Sequence, residues 1–181
     1  APNTNARTPR ELKAAMEKDF ADIGSFTRFY AGSAPVKIAN DLFVEKSYRI
    51  EETFFDVFNY PFLEGNGETA LDLAFTAVVS NVFANKHFPG QAALGKTVSI
   101  GDQDYAITGV LEEPAGKTHM DFEILIFNGP GALDGDFIDW TSSRLYSYFI
   151  LADGGTINNM TLGTADFLDR NAFFAPESWQ D

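Results

Sequence analysis

The sequence predicts an α+β fold with largely antiparallel sheet, on three observations. β-Branched and aromatic runs joined by tight turns fill the middle of the chain, most clearly Thr97–Ile100 and Tyr105–Leu111 around Gly101-Asp102-Gln103-Asp104. Helical spacing of apolar residues is confined to a few segments. No regular alternation of strand and helix connects them, which disfavours a doubly wound parallel sheet.

In chain order, Thr8-Pro9-Arg10-Glu11 reads as a helix start, with Thr8 as cap, Pro9 at the first helical position and Glu11 completing a capping box. Leu12, Met16, Phe20 and Ile23 follow as one apolar stripe suited to core packing, and Gly24 stops the helix. Ser25 to Tyr30 reads as a short strand and Ala31 to Pro35 as a turn. Leu42 to Ile50 alternates, with Leu42, Val44, Lys46, Tyr48 and Ile50 on one face and Phe43, Glu45, Ser47 and Arg49 on the other. Neither face is purely apolar, which suits an edge or a partly wet surface.

Phe54, Phe55 and Phe58 fit a short buried turn, and Leu63 to Glu68 a loop. Thr76 to Val79 is a brief strand, and Ser80 caps a helix from Asn81 to His87 that Pro89-Gly90 ends. Tyr105, Ile107 and Leu111 are expected on one face. Met120 to Ile126 alternates again. Asn128 to Ser143 reads as a long loop, Arg144 to Leu151 as a strand, and Ile157 to Asn171 as a final helix capped by Thr156.

The chain has 181 residues, enough for one domain or two small subdomains that fold without disulfide or metal. Its net charge of −13 repels phosphate backbones, so nucleic acid is not an expected partner. With no cysteine there is neither thiol catalysis nor a thiolate metal site. No run reaches the ~18 apolar residues of a membrane span. A start at Ala1-Pro2-Asn3 rather than Met suggests a processed protein or an excised fragment.

Gly90-Gln-Ala-Ala-Leu-Gly95-Lys96-Thr97 matches the phosphate-loop pattern letter for letter. Such a loop works by following a buried strand and opening a helix whose amides hold the phosphates. Here a short helix precedes the motif and a β-branched run follows it, so a turn with a solvated Lys96 is the expectation. Asp134, Asp136 and Asp139 could bind calcium but lack the ligand series of an EF-hand, so they read as a solvated loop. His87 and His119 have no metal-ligand spacing and are assigned structural roles, with imidazoles that could titrate near neutrality. No catalytic, cofactor-binding or metal-binding residue emerges, and no cofactor is expected.

The central stretch resembles the MacB-like periplasmic core domain of ABC transporter permeases, the FtsX-like or type VII group. The pieces that carry the resemblance run in order. They are Thr53-Phe-Phe-Asp-Val-Phe58 with Phe62-Leu-Glu-Gly65, Ala77-Val-Val-Ser80 with Phe83-Ala84 and His87-Phe88, and Ala93-Leu-Gly-Lys-Thr-Val98. Tyr105-Ala-Ile-Thr-Gly-Val-Leu111, Glu113-Pro114, Thr118-His-Met-Asp-Phe122, Trp140 and Tyr148-Phe-Ile-Leu151 follow.

The resemblance implies two lobes: a porter-like lobe from residues 1–61 plus 140–181, and an inserted, mostly antiparallel β-rich lobe from 62–139. It also implies that the polar stretch Ala1 to Arg7 lacks the usual first strand of the porter-like lobe. The implied role is non-enzymatic: an extracytoplasmic domain, tethered to the inner membrane, that transmits ATP-driven motion to substrate export, extraction or a periplasmic partner. The implied partners are a cytoplasmic ABC ATPase working through the full-length permease and a second permease copy in a dimer. Two rival readings are a free-standing periplasmic module binding a ligand or protein, and a nucleotide-binding enzyme built on Gly90–Thr97.

Overall fold

The longest element is a 16-residue strand, β2 (Ile23–Ile38), paired antiparallel with β3 (Asp41–Ile50) in an unbroken ladder from Phe29↔Ile50 to Ile38↔Asp41. The computed structural model describes residues 7–113, 119–134 and 143–171. Ala31 to Pro35, expected as a turn, lies inside this ladder. Pro35 is tolerated because, among the described residues, the second edge of β2 carries no strand between Phe29, the last partner of β9 (Ser143–Leu151), and Val36, the first partner of β6 (Thr97–Ile100). The chain instead reverses at Ala39-Asn40.

The remaining elements are β1 (Thr8–Pro9), α1 (Leu12–Asp19), α2 (Phe54–Val57), β4 (Phe62–Gly65), β5 (Thr76–Ser80), α3 (Asn81–His87), β7 (Gln103–Leu111), β8 (Ile124–Phe127) and α4 (Ile157–Asn171). The sheet runs β1-β9-β2-β3-β8-β5-β7-β4, with β6 bridging β2 and β7. Among the described residues only the pairs β3·β8 and β5·β7 are parallel. The α+β expectation therefore holds, with a mixed sheet.

Three local expectations are corrected. Thr8 caps no helix: its Oγ1 donates to the Leu145 carbonyl at 3.1 Å, and α1 has no side-chain cap. Pairing with β9 draws Thr8 and Pro9 into the sheet. Leu63 to Gly65, read as loop, belongs to β4. There a Cβ on Gly65 (φ 78°) would come within 2.4 Å of the Thr108 carbonyl. Finally, Met120 to Asp121 precede the strand, and all four β8 residues are buried. Their alternation disappears because β8 lies between β3 and β5 with both faces covered.

Those two faces define the core. Ala77, Val79, Ile124 and Ile126 join one cluster with Phe83, Val98, Tyr105 and Ile107. Val78, Leu125 and Phe127 point the other way, into a cluster with Phe29, Tyr48, Ile50 and Phe54. The expected common face of Tyr105, Ile107 and Leu111 is broken. Ala77 pairs with Ile107 but Val78 with Gly109, so Thr108 is an extra residue. This bulge turns Val110 toward the first cluster and Leu111 toward the second. A third cluster joins Phe20 to Met160 and Phe167, with Leu12, Met16 and Ile23 of the predicted stripe packed against it.

Ala39 adopts φ 54°, in the left-handed region that costs a residue with a Cβ about 1–2 kcal/mol. Ala39→Gly is expected to stabilise the chain by up to ~1 kcal/mol, read as a higher urea midpoint with an unchanged slope.

Candidate functional site

The β2–β3 ladder serves both faces of the core. Its base supplies Phe29, Tyr48 and Ile50 to one cluster, and its outer half supplies Ala34 and Val36 to the other. Each region carries a buried charged hub, about 20 Å apart at the usual strand rise.

The basal hub is Arg28 of β2 with Glu51 just past the end of β3, both 3% exposed and one step beyond the Phe29↔Ile50 pair. The Glu51 carboxylate accepts from the Arg28 amide (2.8 Å) and Nε (2.9 Å), and also closely from a terminal guanidinium nitrogen. The other terminal nitrogen, Nη1, donates to the Arg10 carbonyl at 2.5 Å. Asp134 accepts from the same guanidinium at 2.5 Å, and Lys13 reaches Glu51 at 3.3 Å. Burial alone lowers the Arg28 pKa, but the bonds to Glu51 and Asp134 outweigh it and push it up. Losing one member of such a pair leaves a buried charge without its partner, at a typical cost of about 3–5 kcal/mol.

The outer hub is Glu45, whose side chain is 2% exposed. Its Oε1 lies 2.8 Å from His87 Nε2 and accepts from Lys86 Nζ at 2.9 Å. The His87 ring packs against Phe43 and Phe83, with centroids at 4.4 and 4.5 Å. Glu123 completes the group, 3.5 Å from Lys86 Nζ. Burial pushes the Glu45 carboxyl up, but hydrogen bonds with Glu123, Lys86 and His87 prevail and hold it below the ordinary value. Glu123 is raised, first by its hydrogen bond to Glu45 and then by burial. Of the two carboxyls, Glu123 is therefore the readier to take up a proton. Glu45 and His87 are too deeply covered to meet a substrate, so the hub locks α3 to β3.

The phosphate-loop letters have no phosphate geometry. Gly95 donates its amide to the Ile107 carbonyl (2.8 Å) and Lys96 its amide to Ala93 (3.1 Å), while Ile107 donates back to the Lys96 carbonyl (2.8 Å). The amides that would cradle phosphate are committed to a turn, Thr97 opens a strand, and Lys96 Nζ donates to Gln91 at 2.9 Å. Asp134 bonds Arg28 while its side chain stays 64% exposed, and Asp136 and Asp139 lie outside the described residues. His119 bonds the Tyr148 hydroxyl through Nε2. Glu45, Glu51, Arg28 and Glu123 were not singled out from sequence. The usable signal was a charge inside an apolar run, as in Phe26-Thr-Arg-Phe29.

The chain belongs to the MacB-like periplasmic core domain family, whose model matches residues 2–168. Three solved structures share the fold. A crystallised domain described as belonging to a permease protein of Porphyromonas gingivalis superposes with TM-score 0.71 at 19% identity, over 92% of this chain and 72% of that one. The periplasmic region of MacB from Actinobacillus actinomycetemcomitans gives 0.65 at 16%, over 91% and 74%. The extracellular domain of the noncanonic ABC-type transporter YknZ from Gram-positive bacteria gives 0.60 at 16%, over 93% and 87%. No curated protein matches the chain. No described helix is long and apolar enough to cross a membrane.

The raised Glu123 carboxyl has a pH signature. A raised Glu123 pKa contributes stability that is complete below the unfolded carboxyl pKa of about 4.3 and is lost as pH rises through the folded value. Glu123→Gln keeps a donor for Glu45 but cannot ionise. The variant should exceed the parent in urea midpoint near pH 8, and the gap should close near pH 4. A stability difference that is the same at both pH values would show that the fold does not raise the Glu123 carboxyl.

Proposed function

We propose that the chain is a non-catalytic, extracytoplasmic domain of an ABC transporter permease, carrying ATP-driven motion to substrate export, extraction or a periplasmic partner. The observation that supports this reading is the β2–β3 ladder. One continuous ten-pair element enters both hydrophobic clusters and holds a buried ionic hub at each region. A displacement imposed at its base therefore shifts the outer cluster with it, because packed cores deform as units. The MacB-like membership supports the transporter context, and the partners in this reading are a cytoplasmic ATPase and a second permease copy.

The two-lobe division belongs to the same proposal: 1–61 with 140–181 as the porter-like lobe, and 62–139 inserted. It is supported by β9 pairing with β1 and β2, by α4 packing on Phe20, and by the mutual pairing of β4 to β8.

The test is made in the full-length permease, reconstituted with its ATPase. Ser33 and Lys46 face each other midway along the ladder. Ser33→Gly with Lys46→Gly softens that point, since glycine in a strand costs about 0.5–1 kcal/mol. The expected result is transport reduced several-fold with basal ATP hydrolysis retained. Full transport in the softened variant would reject the ladder as the transmitting element, and a gene with no apolar span flanking this segment would reject the permease reading itself.

A further inference from the structure

We propose that this chain carries a binding pocket for a small multivalent oxyanion, a phosphate- or carboxylate-bearing molecule, where β1, β9, β2 and β3 meet. A cavity of about 580 Å³ opens there, lined by Arg10, Arg49, Arg144, Tyr30 and Asn128 among others. That volume falls in the range of small-molecule sites.

The electrostatics point to an anion. The net charge is −13, yet three of the chain's six arginines surround this one cavity. Among the described residues none of the three has an ion-pair partner, whereas Arg28, Arg170 and four lysines, Lys13, Lys46, Lys86 and Lys96, each find a side-chain acceptor. The neighbouring carboxylates, Glu51 and Asp134, are committed to Arg28. Among the described residues positive charge is thereby concentrated without an ion-pair partner, and a bound anion supplies one.

The site is built by the fold. Tyr30 and Arg49 are direct cross-strand partners in β2 and β3. The β2·β9 ladder ends at Phe29↔Tyr146, which brings Arg144 to the neighbouring strand beside them. Arg10 is anchored by its own carbonyl, which accepts from the buried Arg28. Tyr105 donates its hydroxyl to Asn128 Oδ1 at 2.9 Å, which orients the Asn128 amide and leaves its NH₂ free to donate to an anion. Guanidinium forks match carboxylate and phosphate oxygens two at a time. Three forks call for more than one negative charge. The pocket shares no residue with Gly90–Thr97, and the proposal stands apart from the transmission reading.

Isothermal titration of the 181-residue chain with pyrophosphate and with citrate tests it, in about 150 mM salt, where diffuse attraction is screened beyond ~8 Å. At least one anion should bind saturably at one site, and the tighter of the two identifies the preferred group. Arg49→Gln and Arg144→Gln should each weaken binding at least tenfold, while Lys37→Gln leaves it in place. Both arginines are exposed and, among the described residues, form no ion pair, so the variants should keep the parent's circular dichroism and melting temperature, which are recorded alongside. Absence of saturable heat with either anion overturns the proposal, as does an affinity that neither arginine substitution moves.

Discussion

The structure depends on one constraint: ten consecutive residue pairs of β2 and β3 hold a single register from Phe29 to Ile38. A slip of one residue would move Ala34 and Val36 off one cluster and Phe29, Tyr48 and Ile50 off the other. The ladder also sets where everything else attaches. β9 takes the base of β2, β6 its far end, and β8 the inner part of β3. Through β8 and β5 the two faces of the central sheet become the two halves of the core.

The ionic hubs reinforce that register. Arg28 and Glu51 would each be costly alone in the interior, and together they fix the base, because no slipped pairing returns the guanidinium to its carboxylate. Glu45 does the same further out, where Lys86 and His87 of α3 converge on it. A buried ion pair is weak evidence for net stability and stronger evidence for specificity. Here the specificity is positional: the hubs tie α1 and α3 to particular steps of one ladder. The Arg28 guanidinium extends this outward, since by holding the Arg10 carbonyl it shapes the arginine-lined cavity.

Much of the architecture was legible in the sequence because its signals were local. Ser80 caps α3 by accepting from the Phe83 amide at 3.1 Å, Thr156 caps α4 through the Asn159 amide at 3.2 Å, and Gly101-Asp102 turns β6 into β7. What escaped was set by partners distant in sequence. Ala31 to Pro35 has turn composition, yet ladder pairing with Val44 to Tyr48 keeps it extended. Glu45 and Ser47 were placed on a face that could be wet, and α3 buries Glu45 there. The Thr108 bulge leaves no compositional trace, although Thr108 Oγ1 secures it by donating to the Ala70 carbonyl at 2.8 Å. The arginine pocket was invisible for the same reason: Arg10, Arg49 and Arg144 lie far apart in the chain and meet only in the sheet.

The central claim is that the β2–β3 ladder is one mechanical unit joining both halves of the core. Native-state hydrogen exchange across a series of low urea concentrations measures this directly. The account predicts that ladder amides near Phe29 and those near Val36 open with the same free energy and the same urea dependence. Opening of the outer half at much lower free energy, with a small urea slope of its own, would contradict it.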